Sequence, residues 1–437
     1  MVFIQNVWWL LVLIGIMIMI HELGHYWAAR FFDVRVEAFS FGFGPRLFGF
    51  RKGETDFRFS AILFGGYVKM AGEQPGEESS GDPRAFSSKP RWQRLIIAAA
   101  GPAMNILLAV AVLTGLFMVR FPRPANANMP ATIGYLRADS PAAKAGLQEG
   151  DRIARIDDIE DPVWEDVVMK EIASPGRELS VIIERNGQRL PLMLTPVLDE
   201  KTGVGSAGWD DEHPVQIGGV IPKMDAEKQG LKRGDVIVSV GGKRVRSTAR
   251  LHDIIRASDG KPVEVVYKRA GEEHRVTVTP SYTEDDGGRY MLGVQLERPV
   301  VFTSLGFPDA LRESIRQNIR MGSMIFQFLQ GIIERRMSPK SLEGPIRIAQ
   351  LSGEAAREGP TAFFGLMTMV SLNLAIFNLL PIPILDGGLI LMLLVEMIMR
   401  RDLSLQFKEA VFKLGMVFLM LVVVFVLYND ISKILPG

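Results

Sequence analysis

His21-Glu22-Leu23-Gly24-His25 places two imidazoles and a carboxylate in one pentad, directly after an apolar run from Val7 to Ile20. On an α-helix residues four apart share a face, so His21 and His25 can reach one Zn²⁺ while Glu22 is set to take a proton from a water beside it. Such groups are costly in hydrocarbon, and polar residues at that depth are read first as a functional site. A catalytic zinc takes three protein ligands and keeps one position open, so the pentad is incomplete. The other histidines, His213, His252 and His274, all fall in one long polar block, and the chain has no cysteine. At membrane depth the third ligand must then be a carboxylate, and two compete. Asp386 lies in Asn378-Leu379-Leu380-Pro381-Ile382-Pro383-Ile384-Leu385-Asp386-Gly387-Gly388, where two prolines break a helix and two glycines let backbone approach closely. Irregular backbone at membrane depth is tolerated where protein or a watery cavity satisfies it. Glu396 stands nearer Arg400 and Arg401 and is expected to snorkel to the interface, which leaves Asp386 the better candidate.

These residues require membrane helices around them. The 437 residues are 48% hydrophobic, which divides naturally into a membrane part and a soluble part. Four apolar stretches are long enough to span or nearly span a bilayer: Val7 to Ala29, Leu95 to Val119, Ala362 to Pro381 and Val411 to Tyr428. The first has no basic leader and no small-residue cleavage site after it, so a retained helix is expected. Basic residues crowd the segment between the first two spans, with Arg400, Arg401 and Lys408 between the last two. The positive-inside rule then puts these loops in the cytoplasm, with both termini and the long polar block outside, as in a bacterial cytoplasmic-membrane protein. A formal net charge of +1 gives no basic field for nucleic acid. The missing cysteines remove disulfides, thiolate ligands and a cysteine nucleophile together.

The polar block repeats itself. Ala145-Gly146-Leu147-Gln148-Glu149-Gly150-Asp151-Arg152-Ile153 returns as Gln229-Gly230-Leu231-Lys232-Arg233-Gly234-Asp235-Val236-Ile237, with the glycines and the aspartate offset by 84 residues. Each copy reads as a short helix, a glycine turn, a strand and a hairpin at Asn186-Gly187 or Ala270-Gly271. The pattern resembles the PDZ domain, which takes an extended peptide by strand addition. A spacer or size filter that binds nothing is the alternative for either copy. From Gly306 to Arg336 apolar residues recur at helical spacing opposite a charged side, which predicts an amphipathic helix at the membrane interface or packed on the repeats.

Taken together, HELGH at 21–25, GPAMN at 101–105, NLLPIPILDGG at 378–388 and the tandem PDZ insertion resemble the site-2 family of intramembrane zinc metalloproteases over essentially the whole chain. The resemblance implies Zn²⁺ held by His21, His25 and Asp386, with Glu22 as general base. It also implies an endopeptidase that cuts single-span membrane proteins within the bilayer, with an anti-sigma factor or remnant signal peptides as substrates. The strand-like alternation of Val34 to Phe41 and Asp56 to Leu63, followed by Gly65-Gly66-Tyr67, matches the family's membrane-reentrant β-loop, whose edge would pair with an unwound substrate. Asn378 and Asn373 are candidates to hold substrate backbone, with interhelical hydrogen bonding the alternative.

The expected fold class is a polytopic α-helical membrane protein of about four transmembrane helices, with a membrane-associated β-hairpin region and two inserted α/β PDZ domains. The expected division is a first membrane part over 1–120, with the β region at 34–70, PDZ domains over 121–210 and 211–298, an amphipathic segment over 299–345, and a second membrane part over 346–437. Pro75 to Pro90, rich in Gly, Ser and Glu, reads as a surface linker. The rival classes are a catalytically inactive PDZ-bearing membrane scaffold, which the intact Glu22 disfavours, and a zinc transporter. The transporter would need a chain of polar residues across the other helices.

Overall fold

A computed structural model describes residues 2–73, 81–119, 121–199, 202–283, 288–339 and 343–434. Part of the expected 75–90 linker lies outside them. Helix α1 (Val2–Phe31) leads into a hairpin of β1 (Val36–Lys52) and β2 (Thr55–Met70), then α2 (Arg91–Met118). The polar block contributes α3 (Pro141–Lys144), α4 (Trp164–Ala173), α5 (Asp225–Lys228) and α6 (Thr248–Ala257). The chain closes with α7 (Phe307–Ile333), α8 (Pro345–Glu358), α9 (Pro360–Leu379), α10 (Asp386–Met399) and α11 (Leu405–Ile434). Among these, α1, α2, α9 and α11 are long and apolar enough to cross a membrane, as helices must to satisfy their backbone there. The chain divides into two compact units, 1–121 with 304–326 and 342–437, and 122–303 with 327–341.

In the first unit α1 packs against α2, α8 and α9. Leu13, Met17, Phe363 and Met367 form one buried cluster, and Ala109, Leu372 and Ile376 form another. Proline sets the helix limits: Pro345 and Pro360 open α8 and α9, where a missing N–H costs nothing. Pro381 follows the end of α9, since its own amide has no hydrogen to give. The amphipathic helix forms as α7. One edge of it packs: the Ser314 hydroxyl donates to the Val110 carbonyl at 2.8 Å, and Met321 and Ile325 lie against the Ala109 cluster. Its neighbours along this edge are therefore membrane helices.

The second unit holds the two copies. Each begins with a strand (Ile133–Leu136; Val215–Val220), then a short helix, a strand, a longer helix and a hairpin. A last strand closes each copy back on its first, Trp209 opposite Leu136 and Val294 opposite Val220. The hairpin turns have positive φ at both central residues, Asn186 and Gly187, and Ala270 and Gly271, the geometry that matches strand twist in a two-residue loop. The repeated Gly-Asp has a shared cause. Arg185 grips both oxygens of Asp151 at 2.7 Å and the Gly146 carbonyl at 2.9 Å. Arg269 does the same to Asp235 and Gly230. Each buried carboxylate is thus paired bidentately, which its burial requires. Each copy has its own apolar core, around Ile133, Ile153 and Ile183 in the first and Ile217, Ile237 and Val265 in the second.

Candidate metal centre

Helix α1 carries His21 and His25 one turn apart, with their Nε2 atoms 3.2 Å from each other. Asp386 closes the triangle, Oδ2 at 3.1 Å from His21 Nε2 and Oδ1 at 3.4 Å from His25 Nε2. A tetrahedral zinc with ligands at ~2.0–2.1 Å sets its donors about 3.3–3.4 Å apart, and each of these separations is close to that, with a different oxygen of Asp386 facing each imidazole. The far side of each ring is also engaged. His25 Nδ1 donates to the Ile97 carbonyl at 2.8 Å, which leaves the Nε2 lone pair facing Asp386. His21 Nδ1 meets the Asn105 amide at 3.2 Å, and the fully buried Asn105 leaves its Oδ1 without a partner. Amide orientation is assigned from hydrogen bonds. Turned over, Asn105 Oδ1 accepts from His21 Nδ1–H, and His21 takes the same tautomer as His25.

Backbone makes room for this. A Cβ on Gly101 would stand 2.3 Å from His25 Nε2 and 2.8 Å from His21 Nε2, and one on Gly24 2.3 Å from the Ala100 carbonyl oxygen. α1 and α2 therefore cross at glycines, and α2 can lie against the imidazoles. Asp386 is delivered by the break: α9 ends at Leu379, Ile384 holds a left-handed φ of 88°, and Asp386 opens α10. A β-branched residue is strained there, which marks the segment as held by its surroundings. Cβ atoms on Gly387 and Gly388 would fall 2.2 Å from the Leu380 oxygen and 2.5 Å from the Ile382 oxygen, so the glycine pair does bring α10 hard onto the broken segment.

His21, Glu22, His25 and Asp386 line one cavity of about 390 Å³. Gly65, Gly66 and Tyr67 on β2 and Asn378 at the end of α9 line it too. A Cβ on Gly66 would stand 3.2 Å from Glu22 Cγ, so β2 lies close against this side chain. β1 pairs residues 56–59 of β2 on both sides but residues 66–70 on one side only, so among the described residues the edge at Gly66 and Tyr67 is open to a further strand. Asn373 lies elsewhere on α9 and is not among the lining residues. Sequence reasoning missed two polar neighbours: Asn105, although GPAMN was noticed, and Glu73, which lines the cavity and accepts from the Met70 amide at 3.2 Å.

Glu396 does not snorkel as expected. It is 1% exposed, held by Lys408 at 2.6 Å and the Leu403 amide at 3.0 Å, with Arg91 and Arg94 within 3.9 Å. Paired cations and a backbone donor compensate its burial, and the carboxylate ties α10 to α2 and α11.

The second unit has its own close cluster of Asp210, Asp211 and His213. There His213 Nε2 accepts from the Thr248 amide at 3.2 Å and Nδ1 donates to Asp211 at 3.1 Å. Asp211 also accepts from Asn126 at 2.7 Å and pairs with Arg298 at 3.2 Å. Burial alone would raise Asp211, but the hydrogen bonds from His213 and Asn126 outweigh it and hold the carboxyl low. Burial and the neighbouring Asp211 push Asp210 up to about 6.

Several known proteins are similar to this chain. A Xylella fastidiosa protein named "Putative zinc metalloprotease" is 32% identical over 98% of this chain and 99% of its own. The Salmonella typhimurium protein "Regulator of sigma-E protease RseP" is 29% identical over 97% and 98%. The PDZ domain of the SdrC-like protein of Listeria monocytogenes matches 19% of this chain and 85% of its own at 23% identity, with a TM-score of 0.18, a likeness too slight to weigh. The family model for peptidase family M50 matches residues 9–422. The chain belongs to peptidase family M50 and is a multi-pass zinc metalloprotease.

Proposed function

We propose that this protein is an intramembrane endopeptidase that cuts the transmembrane segments of single-span membrane proteins. The supporting observation is the cavity, where three donors at zinc spacing, a separate carboxylate and an unpaired strand edge meet among apolar helices. His21, His25 and Asp386 hold the metal, which supplies Lewis acidity and water activated near neutral pH. Glu22 takes the proton of the attacking water and delivers it to the leaving amine. A helical substrate hides its peptide bonds, so it must unwind before it can be cut. The edge at Gly65, Gly66 and Tyr67 takes the unwound segment as an added strand, and the Asn378 amide donates to its backbone. The hairpin enters the membrane: Phe43, Leu47, Phe48 and Phe50 are exposed on it, a surface that fits lipid better than water.

The basic loops support an arrangement in the bacterial cytoplasmic membrane in which the termini and PDZ modules lie outside. The name of the Salmonella relative supports regulated proteolysis of an anti-sigma-factor-like substrate, and remnant signal peptides share the same single-span chemistry. The modules exclude substrates whose outer domain is intact, a steric rejection that leaves the chemistry untouched. Two experiments test this. Membrane proteins that accumulate on a Glu22→Gln form should be single-span proteins with short outer tails, and recovery of only soluble proteins would sink the substrate class. One transmembrane segment carrying either a short tail or a folded domain should be cut indiscriminately once 122–303 is deleted. Continued rejection of the folded domain by an active deletion form would refute the filter.

A further inference from the structure

The two modules differ where a peptide would lie, and from that difference we infer that the first is closed by its own side chain: Glu171 takes the place of a peptide's C-terminal carboxylate. The inference rests on the PDZ-type reading of the modules, not on the protease chemistry. Such modules seat an extended peptide along an edge strand beside a helix, and backbone amides capture its terminal carboxylate.

Among the described residues the closing strand Trp209–Asp211 of the first module pairs only with Ile133–Leu136, and α4 meets it at Trp209. The loop before that strand turns at Gly208, φ 77°. Its Ala207 amide donates to Glu171 Oε1 at 2.5 Å, and Trp209 Nε1 donates to Oε2 at 2.8 Å. Glu171 is 9% exposed. One turn-pair earlier on the same helix face, Trp164 packs edge-on to Trp209 with ring centres 5.9 Å apart. The backbone is as tight as the side chains, since a Cβ on Gly205 would stand 2.2 Å from the Glu171 carbonyl oxygen. Both ends of the space between helix and edge strand are therefore filled by the module itself.

The second module lacks these parts. At the 84-residue offset Trp164 becomes Thr248 and Glu171 becomes Ile255, and Val294 opens the closing strand where Trp209 stands in the first copy. Ile255 joins the apolar core of that copy, so the fold has no need of a carboxylate at this place. A buried carboxylate is expensive without donors, and Glu171 is held by an amide of the loop that would otherwise serve a ligand. Capture of free C-termini by this pair consequently excludes the first module, which acts as a spacer.

The test uses the full chain in detergent micelles with p-benzoylphenylalanine replacing Val168, the α4 residue between Trp164 and Glu171 on that face. The probe is a biotinylated mixture of random heptapeptides with free C-termini. With Glu171 present, photolabelling at position 168 should stay at background, and Glu171→Ile should raise it at least tenfold. Labelling at 168 with Glu171 in place would overturn the inference, as would no rise in a Glu171→Ile protein that melts normally. If Glu171→Ile does not fold, Glu171→Met, which has no oxygen to accept from the Ala207 amide, decides. Hydrogen exchange at the Ala207 amide should quicken at least tenfold in that variant, and unchanged exchange would show that Glu171 does not hold the loop. None of these readouts involves proteolysis, so they stand or fall apart from the protease reading.

Discussion

Twice among the described residues aspartate and histidine come together closely enough to hold a metal, once among apolar helices and once between the two PDZ modules. The clusters are alike in composition and opposite in what is left over. At His21, His25 and Asp386 each imidazole is anchored through Nδ1, and the remaining donor atoms face one another across a cavity. At Asp210, Asp211 and His213 both ring nitrogens are spent on protein partners, and Asp211 is shared among His213, Asn126 and Arg298. A ligand set is recognised by unspent lone pairs that converge, more than by which residue types are near.

The largest expected effect tests the carboxylate that stands apart from the ligands. Glu22→Gln should cut proteolysis by roughly 10²–10⁴-fold while zinc measured by elemental analysis stays stoichiometric. Activity near wild type would remove Glu22 from the role of base. Next, His21→Ala, His25→Ala and Asp386→Ala should each lose zinc, whereas His213→Ala should keep zinc and cleavage and lower only the melting temperature. Zinc loss in the His213 variant would erase the contrast between the clusters. Glu396→Ala should also keep zinc, but it strands Lys408 beside Arg91 and Arg94 and should destabilise by roughly 3 kcal/mol, read as a lower melting temperature in detergent.

A smaller effect sharpens the comparison from the residue that holds a ligand from behind. Asn105→Ala removes the partner of His21 Nδ1 without touching a ligand, and should weaken zinc binding by about 10–100-fold in a competition titration against a chelator. Unchanged affinity would mean that packing by Gly101 and α2 alone fixes the ring.

Much of this site was legible in the chain. Helical spacing put His21 and His25 on one face, and the want of other histidines at depth left a carboxylate to find. The two prolines predicted the break that delivers Asp386. The repeated Gly-Asp and the Asn-Gly and Ala-Gly turns predicted the two copies, because local backbone geometry alone dictates positive φ there. What spacing could not convey were pairings between distant segments. Nothing near Glu396 in sequence announces Arg91 and Arg94, and its expected route to the interface assumed an end to α10 that the fold instead covers. Asn105 and Glu73 acquire meaning only once α2 and β2 are laid against α1.

The smallest effect concerns acid, and it separates a spent cluster from a poised one. Asp211 is held below its ordinary value, so its contribution is present above about pH 3.8 and fades as pH falls through its lowered pKa. Asp210 is raised to about 6, so its contribution runs the other way, present at acid pH and lost as pH rises through that value. The part of the Asp210 shift that burial does not cause depends on Asp211 beside it. In Asp211→Asn protein the pair is gone, and Asp210 should fall back toward the range of a lone carboxyl, less the cost of its burial. The stability difference between wild type and Asp211→Asn should therefore widen as pH drops from 7 to about 5, where Asp210 becomes neutral and repulsion is relieved. It should narrow again below about 4, as Asp211 takes up its own proton. The expected amplitude is on the order of 1 kcal/mol, measurable as hydrogen exchange at the Thr248 amide, which His213 holds. A difference that stays flat between pH 4 and 7 would show that the two carboxyls do not share a field, and that Asp211 is pinned by Asn126 and Arg298 without reference to its neighbour.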